Sequence, residues 1–101
     1  DWDYFASEAG DAAWDYDSVL DIYRRIENWR GAPDPRRRGT DGPVWVQPAH
    51  DPSQVAHAML GAARELDIPT FESPNGEMME GPGGAAIAEM LVLDGRRQSL
   101  Y

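Results

Sequence analysis

The sequence contains no cysteine, no lysine and no long apolar run. The first absence removes disulfides, thiolate nucleophiles and sulfur-ligated metals together, and leaves a cytoplasmic setting as the expectation. The second means that all nine positive charges are arginines, set against 18 acidic residues for a formal charge of −9. Such a balance repels phosphate backbones and anionic membrane surfaces, so neither nucleic acid nor membrane is an expected partner. Arg36-Arg37-Arg38, lying beside Pro33 and Pro35, reads as a solvated basic loop. No stretch approaches the roughly 20 apolar residues of a membrane span, and the first residues lack the basic start and apolar centre of a signal peptide.

What is present suits a single small globular domain: 101 residues, 42% of them apolar or aromatic, with four tryptophans. Asp15 followed by Val19, Ile22, Tyr23, Ile26 and Trp29 at three- and four-residue intervals predicts a helix, stopped by Gly31 and Pro33. Residues 31–42 are rich enough in proline, glycine and charge to be loop. Val44-Trp45-Val46 alternates as a short strand flanked by prolines. Asp51-Pro52 then reads as the cap and first position of a second helix with Val55, Met59, Ala62, Ala63 and Leu66 as its stripe. Pro74-Asn75-Gly76 is a turn, and residues 85–94 are expected as a strand closed by the hairpin dipeptide Asp94-Gly95. Two strands are too few for a sheet, so the remainder is expected from elsewhere. The start at Asp1 and the close on DGRRQSLY, which resembles the run-in to another element, give the same expectation.

Candidate chemistry is sparse. Gly81-Pro82-Gly83-Gly84-Ala85-Ala86 matches a dinucleotide fingerprint by letter only, because a polar segment precedes it and no helix or distal acid follows. Asp15-Tyr16-Asp17 and Asp1-Trp2-Asp3 begin like calcium loops but carry Val19 and Phe5 where a ligand is needed. His50 and His57 share no helical face for a metal. Ser99 has no nucleophile elbow and suits a helix cap. Glu77, Glu80 and Glu89 include no isolated acid–base pair. No self-sufficient catalytic set results, and no metal site is expected.

Taken in order, several segments resemble glucose–methanol–choline oxidoreductases. They are the acidic-aromatic start leading to the helix that ends Arg24-Arg25-Ile26-Glu27, the Gly39-Thr40-Asp41-Gly42-Pro43-Val44 entry into a strand, and Ala62-Ala63-Arg64-Glu65-Leu66 with Ile68-Pro69. Asn75-Gly76, Glu80-Gly81 and Gly95-Arg96-Arg97-Gln98-Ser99 continue the series. Asp67 stands where the family usually closes the helix with glycine, which implies a left-handed residue held at some cost. Arg38 stands where a histidine is common, and Ile87 and Ala88 where aromatics are frequent.

The resemblance implies an α+β fold: a partial substrate-binding domain with two main helices packed on strands of an incomplete antiparallel sheet. Residues 1–30 would form a helical lead-in next to the flavin domain, 31–42 a loop, and 43–101 part of the substrate-binding domain. It further implies hydride transfer from a primary or secondary alcohol to FAD, with the flavin held mainly by residues outside this chain. The partners implied are the remainder of the same polypeptide and a small-molecule alcohol. No residue here is expected to be catalytic or to bind the cofactor. Alternation groups Ala85, Ile87, Glu89 and Leu91 on one side of the last strand, and Ile87 and Glu89 are the candidate substrate contacts. A lyase retaining FAD without redox turnover is a variant within the family. The alternative outside it is a free-standing acidic α+β interaction module without catalysis. A fragment would display apolar surface and unpaired strand edges, whereas a module would close its own core.

Overall fold

The computed structural model describes residues 1–98, so the cap expected at Ser99 lies outside the described residues. The chain opens with helix α1, Trp2–Ala9, closed by Gly10 at φ 64°, where a left-handed residue lets the turn's amides reach back to Ala6 and Ser7. This helix lies within the lead-in expected over residues 1–30, where it has no separate signal in the sequence. A short 3-10 turn, Ala12–Trp14, follows. It stacks Trp14 on Trp2 at 6.5 Å, with Phe5 and Tyr23 also against the Trp2 ring. Asp15 caps helix α2, Tyr16–Ile26, by accepting from the Ser18 amide at 2.8 Å, as its position before the apolar stripe predicts.

Helix α2 ends earlier than the stripe suggests. Residues Glu27–Trp29 leave the helix to form strand β1, which pairs in parallel with β2, Val44–Val46. Two close backbone approaches explain the break. Gly39 and Gly42 lie so near the Arg24 and Ile26 carbonyl ends that a Cβ on either would overlap them. The Gly39 carbonyl accepts from the Trp29 amide at 2.8 Å, and the Gly42 amide donates to the Glu27 carbonyl at 2.8 Å. The loop 30–43 serves as the crossover that a parallel pair requires, returning the chain in its original direction.

Helix α3 spans Gln54–Glu65 and is capped by Ser53, not by Asp51 as expected, because Asp51 itself sits at φ 52°, outside the extended geometry of an N-cap. Its expected stripe is also rotated. Ala63 is buried, but Val55, Met59 and Leu66 are 67%, 68% and 72% exposed, and the shielded positions are Ala56, Leu60, Gly61 and Ala63. Asp67 closes the helix at φ 55°, the left-handed residue foreseen there.

A four-residue helix α4, Glu77–Glu80, precedes the glycine-rich loop. Strands β3, Val92–Leu93, and β4, Arg96–Arg97, form an antiparallel hairpin. Asp94 and Gly95 both have positive φ at its turn, as that dipeptide predicts. Only the end of the stretch expected as one long strand forms this hairpin; before β3 it is tied by two isolated bridges, Ala85 to Thr70 and Met90 to Gln47 beyond β2. The result is α+β with small two-stranded sheets, one parallel and one antiparallel, where a single antiparallel sheet was expected. Among the described residues no helix is long and apolar enough to cross a membrane. Their buried apolar residues are Val19, Trp29, Val46 and Ala63, and none is sealed completely.

Candidate functional site

Among the described residues the most heavily bonded side chain is that of Arg38, which is 4% exposed. The turn from Asp34, whose carbonyl accepts from the Arg38 amide at 2.7 Å, directs it inward. Its Nε and Nη2 grip Glu27 of β1 at 2.9 and 2.6 Å, a bidentate fork of the kind guanidinium geometry favours. Nη1 and Nη2 also reach Glu89 at 2.7 and 3.1 Å, and Nη1 donates to Ser73 Oγ and the Asn75 carbonyl, each at 2.8 Å. The guanidinium lies over the Trp29 ring, 3.8 Å from its centroid, so the cation is stacked as well as paired. Glu89 is correspondingly full: besides Arg38 it accepts from Ser73 Oγ at 2.5 Å and Asn75 Nδ2 at 2.8 Å. One side chain thus joins β1, the loop after it, the turn at 73–75 and the last segment.

Burial works against charge at both ends of this pair, and hydrogen bonding overrides it. Desolvation pushes the Glu89 carboxyl up, but bonds from Arg38, Ser73 and Asn75 hold it below the usual carboxylate range. Desolvation likewise favours loss of the Arg38 proton, and Glu27 and Glu89 more than reverse this.

A second junction uses the preceding residue. Arg37 pairs with Asp34 at 3.1 Å and with Glu80 of α4 at 2.8 Å, Arg36 reaches the same carboxylate at 3.1 Å, and the Tyr16 hydroxyl donates to it at 2.7 Å. The Arg37 and Tyr16 bonds, helped by Arg36, bring the Glu80 pKa down to about 2. The basic run is therefore not a solvated loop: Arg36 alone is exposed, at 71%, while Arg37 is 17% exposed and, like Arg38, turned into carboxylates. Neither junction stood out in sequence, because partners 11 to 64 residues apart have no local signal. The available hint was the density of arginine and glutamate in a chain without lysine.

An open cleft of about 700 Å³ lies alongside, walled by Trp29, Pro33, Pro35, Pro48 and Phe71, with Arg38, Ser73 and Asn75 on its polar side. Glu89 stands behind that polar side and is absent from the lining, as is Ile87. Ile87 and Glu89 are both shielded, and Ala88 and Met90 between and beyond them are exposed, so the expected alternation holds over 87–90. His50 and His57 are exposed. Glu80 and Glu89 are each neutralised by arginine, which leaves neither as a free acid or base.

The glycine-rich run does not fit a flavin dinucleotide. It follows α4, turns at Gly83 with φ 95°, and leads into Ala85, which is bridged to Thr70 and opens no helix. Gly84 packs against the Pro69 carbonyl and the Phe71 ring, so the space a phosphate needs is taken by protein.

No family model matches the chain. Among curated proteins it is 35% identical over 99 residues to an oxygen-dependent choline dehydrogenase of Brucella anthropi, covering 98% of this chain and 17% of that protein. The protein of the same description from Rhizobium meliloti is 36% identical over 92 residues, 91% of this chain and 16% of that one. Among solved structures, a pyridoxine 4-oxidase from Mesorbium loti superposes with a TM-score of 0.68 at 26% identity, over 77% of this chain and 15% of the other. The chain spans about 17% of the length of the curated relatives it matches. In sequence and in fold it therefore belongs, as a segment, to the glucose–methanol–choline oxidoreductases.

Proposed function

We propose that these residues form part of the substrate-binding domain of an FAD-dependent oxidoreductase that takes hydride from the CH–OH carbon of a primary or secondary alcohol. FAD supplies the hydride acceptor in such an enzyme, and the glycine-rich run of this segment does not fit it. The segment contributes framework. Residues 1–30 pack toward the flavin domain, 31–42 link, and residues from 43 onward build part of the pocket wall, with Ile87 on its substrate side and Glu89, bonded to Arg38, behind it. The choline and pyridoxine in the names of the similar proteins are both alcohols, which favours that donor class.

The observation that carries the scaffold reading is the state of the charged groups. Arg38, Glu27 and Glu89 are spent on one another, as are Arg37, Asp34 and Glu80, so the ordered polar groups hold segments together and none is poised to move a proton. The exposed apolar side chains of α1 and α3 point the same way, toward burial against further polypeptide, and count against a free-standing module.

The test is spectroscopic. The full-length polypeptide carrying these residues is purified and mixed anaerobically with choline, pyridoxine and a panel of simple primary and secondary alcohols. Bound flavin that bleaches with at least one of them is the expected result. A flavin-free protein, or one whose flavin is untouched by every alcohol, overturns the reading.

A further inference from the structure

The segment 85–91 is held in an unusual way. Its ends are tied by backbone bridges, Ala85 to Pro69 and Phe71, and Met90 to Gln47, with N–O distances of 2.8 to 3.0 Å. Between them, residues 86–89 make no backbone hydrogen bond to any other described residue. A strand normally takes its position from its ladder. Here the intervening stretch takes it from one side chain, Glu89, which is 5% exposed and accepts four hydrogen bonds. Two come from Arg38, which is itself locked to Glu27 on β1 and stacked on Trp29.

The same saturation decides what Glu89 does. Both carboxylate oxygens already have two donors apiece, so an alcohol hydroxyl would have to displace an existing bond to reach either. Ile87, two residues earlier and on the same side, carries no such engagement and offers an apolar surface. The two candidates therefore have different roles.

We infer that Glu89 is a positioning residue that acts through Arg38: it fixes where Ile87 stands relative to β1 and β2, and so sets the fit of the alcohol without touching it. This rests on the reading of Ile87 as part of the substrate wall. Its specific consequence is that reach matters more than charge. A carboxylate one methylene shorter, by about 1.5 Å, must either give up Arg38 or drag the segment toward it. An amide of the original length keeps its oxygen on Arg38 Nη1 and Ser73, gives up the weaker Arg38 Nη2 contact, and presents its NH2 to Asn75, whose side-chain amide can turn to accept, so the stretch stays where it was.

The experiment compares Glu89→Asp, Glu89→Gln and Arg38→Lys in the full-length polypeptide. It measures kcat, KM, flavin content and amide exchange of the peptide covering 85–91. Glu89→Asp should raise KM by about tenfold or more with kcat and flavin content nearly unchanged, since a displacement of about 1 Å is enough to spoil fit. Exchange at the Ala85 and Met90 amides, which donate to the Pro69 and Gln47 carbonyls, should quicken while α2 is unaffected. Arg38→Lys, which cannot grip two carboxylates as a planar fork, should behave similarly. Glu89→Gln should change KM by no more than about threefold. Equal KM shifts for Asp and Gln, or unchanged KM and exchange in Glu89→Asp, overturn the inference. So does a fall in flavin content parallel to the loss of activity, which would mark a general structural role. If the unsubstituted protein oxidises no alcohol, it is the functional reading that fails. The exchange data then decide separately whether Glu89 fixes the segment.

Discussion

Arg37 and Arg38 are neighbours in sequence whose charges serve two different junctions. Arg38 reaches inward to β1 and the last segment, and Arg37 reaches across to α4 and, through Glu80, to the start of α2. Composition made both look like surface charge, because a short basic run beside prolines usually is. What sequence could not display was the set of carboxylates waiting for them. The Glu80 link has a testable pH dependence. Its pKa is about 2 when folded against 4.5 for an unpaired glutamate, first because of the Arg37 hydrogen bond, so the ionised form is the one that folding favours. Its contribution to stability is therefore complete above about pH 4.5 and drains away as pH falls toward 2. Unfolding free energies of the wild type and Glu80→Gln should differ at pH 6 and converge near pH 2. A difference that persists at low pH would mean that the tie is not ionic.

The elements were legible where local chemistry set them and illegible where a distant partner did. The Asp15 cap and the Asp94-Gly95 turn follow from two to four adjacent residues, the left-handed Asp67 was implied by the family resemblance, and all are found in the structure. The end of α2 does not follow in that way. Ile26 to Trp29 keeps helical spacing, yet Trp29 is buried in β1, because two glycines a dozen residues onward let the loop backbone press against the helix end. The α3 stripe was misplaced for a related reason. Val55, Met59 and Leu66 face outward while Leu60 and two alanines face the chain, so counting apolar residues at helical spacing selected the wrong side. Gly39→Ala should expose the first of these dependencies. A methyl there overlaps the Arg24 carbonyl, and forced overpacking of this type costs about 1–3 kcal/mol. A urea midpoint that falls accordingly is the expected outcome, and an unchanged midpoint would show that the loop yields freely.

At the level of the whole molecule the family was readable, because the order of weak motifs survives when no single one is decisive, whereas the mixed pairing of the strands was not. The size of the core follows from what the chain must lean on. Tyr4, Phe5, Trp14, Val55, Met59 and Leu66 are all roughly half exposed or more, far more apolar surface than a small independent fold leaves open. The 101 residues expressed by themselves should bind a hydrophobic dye strongly, and the polypeptide that carries them should bind it weakly per molecule. Equal, weak dye binding by both would mean that the segment closes over its own apolar side chains. One backbone feature bears on engineering. Asp51, Asp67 and Asp94 all adopt φ near +50°, a region glycine or asparagine enters with less strain. None of the three belongs to the arginine junctions, so replacing them would relax the backbone and lower the anionic excess at the same stroke, leaving the internal clamps as they are.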